Sequence, residues 1–345
     1  MFSAILLLGA GCTLKFGSSP QGGIWKTLDS GETWVSKHSV VTMDGKKQSF
    51  GNEQVLSIKV DPRNGANLFA GTTAKGLFTS TNAGETWTNT LPNEKVVDIA
   101  LDADSRCVLY VLTPTQLHKT TKCGTEWTIS YDETRRMTSL TSVETDPIKP
   151  EIVYLTTTKG DILKSTDRGN TWTAIYRFPN IEIDDLVIDR LDSHVIYVAT
   201  RKKGIFRSKD KGLSWEDVSE PLKRDFSSPV FRWVGTLKKT GGLLFVNDDT
   251  MYRTSSMGDS WEKVPLLTPS GRALIFSVAV NPNNDDEIVY ATQSTFYRTT
   301  DGGAHWISRP LPSNRSSSQL LFDPYNTATI YLGTNIYSPP SPYFK

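Results

Sequence analysis

An eight-residue pattern, Ser/Thr-x-x-x-Gly-x-x-Trp, occurs seven times: TLDSGETW (27–34), STNAGETW (80–87), TTKCGTEW (120–127), STDRGNTW (165–172), SKDKGLSW (208–215), TSSMGDSW (254–261) and TTDGGAHW (299–306). Its Trp residues recur at steps of 40 to 46 residues, apart from a first step of 53. A fixed period of this length marks a repeat architecture, in which each unit buries its apolar face only by packing on the next.

Each copy of this box sits in a longer unit. A short apolar strand lies upstream, such as LFAGT (68–72), IVYLTT (152–157), VIYVAT (195–200) or IVYATQ (288–293). Before it comes another strand, often ending in Asp-Pro or Asn-Pro (Asp61-Pro62, Asp146-Pro147, Asn281-Pro282, Asp323-Pro324), which stops pairing and starts a turn. A third strand runs into the box and a fourth follows the Trp. Four short strands per period describe one blade of an all-β propeller. The box is then the hairpin between third and fourth strands. Its Gly supplies a left-handed conformation, its Asp and hydroxyls hold turn amides, and its Trp packs between blades. The first box is preceded only by GGIWK (22–26), while SQLLFDP (318–324) and TIYLGT (329–334) have no box after them. Joining the two ends completes a composite blade, gives seven in total and removes the free sheet edge.

Composition agrees with a globular chain: 37% hydrophobic, 22% charged and a formal net charge of +1, which argues against a dedicated nucleic-acid binder. The N-terminus, MFSAILLLGAGC, is too short an apolar run to span a bilayer and is closer to a signal-peptide core. Its Cys12 after small residues resembles a bacterial lipobox, with Gly9 where Leu is usual. Lipidation of Cys12, cleavage without lipid and a buried N-terminal strand are the three readings. The expected organisation is a signal segment (1–12), a linker (13–22), the propeller (23–338) and a tail (339–345).

The boxes resemble the Asp-box, or bacterial neuraminidase repeat, over essentially all of residues 22–338. The resemblance implies a propeller fold shared by sialidases, xyloglucan-hydrolysing propellers, sortilin-type receptors and the photosystem II stability/assembly factor family. The Arg-Ile-Pro signature of sialidases is absent, as are the second propeller of xyloglucan hydrolases and the cysteine-rich modules of sortilin-type receptors. A single, lipid-anchored, seven-bladed propeller looks most like the assembly factor family, whose members bind a membrane-protein precursor. Function must still be argued from a site, because one fold hosts many.

In a four-stranded meander the box turns share one face of the disc with the first-to-second turns. The second-to-third loops and the blade-to-blade connections share the other, called here the loop face. Binding residues favour such loops. This face is expected to carry Lys46, Lys47, Lys75, Arg135, Arg136, Arg177, Arg201, Lys202, Lys203, Lys223, Arg224, Arg272 and Arg315, against an acidic box face that includes Asp285, Asp286 and Glu287. One reading is ordinary solvated loops. The sharper one is a recognition surface for an acidic peptide or anionic polymer, with Arg201, Lys202 and Lys203 near its centre. Lys or Arg also recurs inside the third strands (Lys26, Lys119, Lys164, Arg207, Arg253, Arg298), a regularity that assigns it to the blade rather than to a site.

The enzymatic alternative rests on Glu182, Asp184 and Asp185 at the entry to a first strand, since two suitably separated carboxylates perform glycosidase chemistry. The four His are scattered without metal-ligand spacing, and no Gly-rich phosphate loop opens a helix, so no metal or cofactor is expected. Cys107 begins a second strand and Cys123 lies in the box turn of the same blade, where Lys122 replaces the Asp. A disulfide between them would offset the weakened turn; two unpaired thiols are the alternative. The sequence therefore points to a non-enzymatic propeller at the bacterial envelope that binds a protein or anionic polymer, with a glycan-binding or glycan-hydrolysing propeller as the rival.

Overall fold

Burial falls from the inside of each repeat outwards. Second strands such as Val153–Thr157 and Ile196–Thr200 are buried along their whole length, whereas fourth strands such as Thr128–Asp132 and Thr173–Arg177 are mostly exposed. Strands covered on both faces read as continuous apolar runs, and this is why the second strand was the clearest in every repeat. The computed structural model describes residues 22–42, 45–220, 222, 231–237 and 242–336. Cys12, Lys223, Arg224 and the segments 1–12 and 339–345 lie outside them.

The chain forms a seven-bladed β-propeller. Blades one to seven begin with the strands Val55–Asp61, Asp98–Leu101, Leu140–Thr145, Ile183–Ile188, Phe231–Thr236, Ser277–Asn281 and Ser316–Phe322. Each is the innermost of four antiparallel strands. Blade seven is the composite one: Ser316–Phe322 pairs with Ile330–Asn335, which pairs with Ile24–Thr27, which pairs with Val35–Ser36. The first strands contact one another in order around the ring and close from blade seven onto blade one.

The box turn has the same construction in every blade. The hydroxyl of its first residue accepts a hydrogen bond from the Gly amide four positions on, at 2.7 Å for Gly169 to Ser165 and 3.0 Å for Gly303 to Thr299. Where Asp stands third, its carboxylate accepts the amide of the seventh residue and meets its side chain, as Asp167 accepts the amide and hydroxyl of Thr171 at 2.8 and 2.6 Å. The Thr171 hydroxyl, with that amide, lowers the Asp167 pKa to about 2. Two consecutive residues are left-handed, not one. The fourth position has φ of 53° to 63° at Ser30, Ala83, Cys123, Arg168, Lys211 and Met257, and the Gly follows with positive φ. Gly169 is also pressed against the preceding blade, where an added Cβ would lie 2.6 Å from Ser130 Oγ.

This turn is the joint between blades. The fourth-position amide donates to the first-to-second turn of its own blade, Arg168 to Glu151 O at 2.9 Å and Lys211 to His194 O at 3.1 Å. The carbonyl of that residue faces the preceding blade. Arg168 O accepts from Tyr110 Oη at 3.0 Å, Lys211 O from Tyr154 Oη at 3.3 Å, Ala83 O from Lys26 Nζ at 2.9 Å and Met257 O from Arg207 Nη1 at 2.5 Å. Five Trp side chains complete the seam by donating Nε1 to a carbonyl at the preceding blade's outer strand, from Trp87 to Lys37 O at 3.0 Å through Trp306 to Pro265 O at 2.8 Å. The third-strand cations belong to the blades and their joints: Lys26, Lys119, Arg207 and Arg253 reach the next blade, while Lys164 lies over Tyr154 and Arg298 pairs with Glu287 in their own blades. The rings are less covered than the sequence reading held: Trp87 is buried, and the other six are half-buried at the disc rim.

Trp87 differs because of an insertion. Ser39–Val41 and Lys47–Ser49 form a hairpin between blades seven and one, which accounts for the long first step in the repeat. Val40 bridges Trp87 in parallel, and Phe50 stacks on Phe78 with ring centroids 4.5 Å apart.

In blade two, Cys107 and Cys123 are joined as a disulfide across 16 positions. Here Lys122 pairs with Glu126 at 2.6 Å in place of the Asp-hydroxyl pair of other boxes. Replacing both cysteines by Ser should cost about 3 kcal/mol in urea unfolding. Adding Lys122→Asp with Glu126→Thr, which rebuilds the usual turn, should recover about 1 kcal/mol of that loss. An unchanged unfolding midpoint in the Cys-free variant would show that the bridge holds nothing.

Candidate functional site

Two regions carry charge away from the seams: the loop face and the wall of the central channel. On the loop face, several of the expected binding cations already have partners. Arg135 bridges Glu133 at 2.6 Å and Asp161 at 2.8 Å, and Arg177 pairs with the same Asp161. Both carboxylates are buried, and Arg135 holds Glu133 below its ordinary pKa. Asp161 is also held low despite its burial, because Arg177 and Arg135 both donate to it. Arg201 grips Glu182 at 2.9 Å and Asp184 at 2.6 Å, and Arg315 donates Nη1 to Asn52 O at 3.0 Å.

These four cations brace the loops. The triplet at 201–203 therefore divides, since Arg201 is occupied while Lys202 and Lys203 are exposed at the turn tip, Lys202 with φ of 66°. Arg136 and Arg272 are exposed in the connections entering blades three and six. Arg136, Lys202, Lys203 and Arg272 have no side-chain partner among the described residues. Met137, beside Arg136, is 90% exposed with φ of 55°, and Leu267 lies exposed in the same connection as Arg272. The face is thus a set of unpaired cations interleaved with bare apolar side chains.

The carboxylates of IEIDD separate in the opposite sense. Asp184 and Asp185 are successive residues of one strand, whose side chains alternate between faces, and the register shifts between Ile183 and Asp185. Asp184 stays with Arg201, while Asp185 accepts from Ser142 Oγ of blade three at 3.0 Å. Ser142 Oγ also lies 3.4 Å from Asp98, and Lys59 lies 3.9 Å from Asp98 on its other side. With Glu144 these groups form a charged band on the channel wall across blades one to four, which the sequence reading missed. Its only signal was charge within otherwise apolar first strands, as Lys59 in VLSIKVD.

Solvent reaches the band, but protein surrounds it, and the loss of hydration dominates. Desolvation, seconded by Asp98, pushes Asp185 up to about 7, while Ser142 and Lys59 pull it down. Desolvation also raises Glu144 to about 7, against Lys59. Lys59 is held above its ordinary value, its own desolvation outweighed by Asp98, Glu144 and Asp185. Among the described residues no His, Cys, Asp and Glu group is arranged to hold a metal ion.

No family model and no curated protein matches the chain. Solved structures do. A GH74 xyloglucanase from Xanthomonas campestris aligns with 82% of this chain at 16% identity and a TM-score of 0.67, and this chain spans about half of it (51%). YCF48 bound to D1 peptide aligns with 82% of this chain at 14% identity and a TM-score of 0.62, with 94% of YCF48 covered. The extracellular domain of a putative one component system from B. thetaiotaomicron aligns with 89% of this chain at 13% identity and a TM-score of 0.61, with 44% of that chain covered. At such identities the likeness establishes the fold and nothing further.

The channel carboxyls set a pH dependence. Their folded pKa values lie above the unfolded ones, so their stabilising contribution is full below about pH 4 and is lost as pH rises through about 7. Asp185→Asn should therefore stabilise the protein at pH 8, by on the order of 1 kcal/mol after solvent screening, and change little at pH 4. Thermal unfolding across pH 4–9 checks this; a variant less stable at pH 8 would contradict it.

Proposed function

We propose that the chain is a non-enzymatic binding propeller of the Asp-box type, held at the bacterial envelope through a lipidated Cys12, that takes a protein or other anionic polymer on its loop face. One contrast carries this reading. The carboxylates nearest to glycosidase chemistry on that face, Glu182 and Asp184, are committed to Arg201, while Arg136, Lys202, Lys203 and Arg272 are uncommitted. A face whose spare charge is in excess cationic attracts anionic partners, and its exposed Met137 and Leu267 supply contact area beyond the charge. Arg135 and Arg177 keep the loops in shape, so that less order has to be acquired on binding. The likeness to YCF48, solved bound to D1 peptide, supports a binding role for a propeller of this shape. Export is supported by the disulfide and by the likeness to an extracellular domain.

The full-length protein should capture a partner from native membranes, and the capture should weaken as salt rises, because exposed charges are screened over about 8–10 Å. Reversing Arg136, Lys202, Lys203 and Arg272 to Glu should reduce capture at least about tenfold, equivalent to about 1.4 kcal/mol. Each exposed substitution should cost less than about 0.5 kcal/mol of stability. Lys149→Glu on the box face is the control and should bind normally. Undiminished capture by the fourfold variant, or hydrolysis of xyloglucan that disappears with Asp184→Asn, would overturn the reading.

A further inference from the structure

The insertion hairpin does more than cover Trp87. Ser39–Val41 joins blade one at a single point, where Val41 N donates to Trp87 O and Trp87 N to Ser39 O, both at 2.9 Å. Beyond it the hairpin closes on itself, Thr42 N bonding Lys46 O, and no further backbone bond ties it to the outer strand Thr88–Leu91 among the described residues. The two strands leave a cleft of about 290 Å³. No other blade has such an insertion among the described residues, so the cleft breaks the sevenfold pattern.

Its lining is arranged by chemistry. Val40, Phe50 and Phe78 form an apolar floor, each below a tenth exposed. Lys75, from the second-to-third loop of blade one, and Glu53, from the insertion, bring opposite charges to the same cleft. Neither has a side-chain partner among the described residues, and they do not reach each other. Asn89 completes the lining: its Nδ2 donates to Lys75 O at 2.8 Å, which fixes the amide orientation, and its buried Oδ1 is left without a donor. A buried acceptor without a partner costs roughly 1–3 kcal/mol, so it is an expected place for a ligand N–H.

We propose that this cleft binds a short zwitterionic peptide with an apolar side chain. The carboxylate pairs with Lys75, the ammonium with Glu53, the peptide N–H donates to Asn89 Oδ1 and the side chain lies on the Val40–Phe50–Phe78 floor. Charge separation selects the length. The ends of an extended dipeptide are about 7 Å apart, which suits two charges that share a cleft without meeting, whereas those of a single amino acid are adjacent. The small volume sits at the lower end for ligand pockets and excludes a long segment. The site is separate from the cations of the proposed loop-face reading and does not depend on it.

The probe is L-leucyl-L-leucine, titrated calorimetrically into the full-length protein. A dissociation constant of about 1 mM or tighter is expected. N-acetylation or C-terminal amidation of the dipeptide should each weaken binding at least about tenfold. Lys75→Met should reproduce the loss seen with the amide and add nothing to it, and Glu53→Gln should do the same for the acetylated form. The variant with Arg136, Lys202, Lys203 and Arg272 reversed should bind the dipeptide unchanged, which separates this site from partner capture. Absence of binding at about 10 mM, equal binding of the capped dipeptides, or binding indifferent to Lys75→Met and Glu53→Gln would each overturn the proposal.

Discussion

One residue per repeat, the fourth of the box, holds the ring together through its backbone. In a left-handed conformation its amide turns to its own blade and, in four of the joints, its carbonyl meets a Tyr, Lys or Arg of the preceding blade. For a non-glycine residue that conformation costs roughly 1–2 kcal/mol. The hydroxyl bond to the following Gly amide and the close contact of that Gly with the preceding blade hold it in place. Each box thus makes two attachments at once, one within its blade and one across the seam. Joints of this kind, repeated around the ring, turn marginal four-stranded sheets into a closed body without free edges.

The consequence for function is a division of labour between faces. The box face is consumed by structural pairs: Asp286 is held by Arg253 and Asp102 by Arg168 across seams, and Glu287 by Arg298 within its blade. The loop face carries no such obligation, so its charges can be either braces or contacts. Arg135, Arg177 and Arg201 are braces, held by buried or half-buried carboxylates, whereas Arg136, Lys202 and Lys203 are exposed without such partners. The channel band is a third environment, where raised carboxyl pKa values mark charge retained against stability.

Fold was legible because Gly, Trp and the hydroxyl residue each answer a local backbone need that few residues meet. The composite blade was legible for the same reason, from one box with a single strand before it. The second left-handed position was not, because Ser, Ala, Cys, Arg, Lys, Met and Gly share no chemistry; the site is defined by bonds of the backbone, which sequence does not display. The 39–49 hairpin left a trace only as a long interval, its strands being three residues each and of mixed polarity. The loop-face cations were visible as types, but their state was not. Arg177 meets Asp161 across a strand pair, and Arg201 meets Glu182 and Asp184 from another strand, so the pairing follows from register rather than from neighbourhood in the chain.

The account stands on the claim that boxes are structural joints and the loop face is the working surface. Hydrogen exchange of the full-length protein, alone and with detergent-solubilised envelope extract, tests it directly. The seven box Gly amides should exchange in the slowest class in the free protein and be unaffected by extract. Amides at 136–137 and 202–203 should exchange fast in the free protein and slow when extract is added. Box amides that exchange as fast as these loops, or that alone gain protection on binding, would contradict the claim.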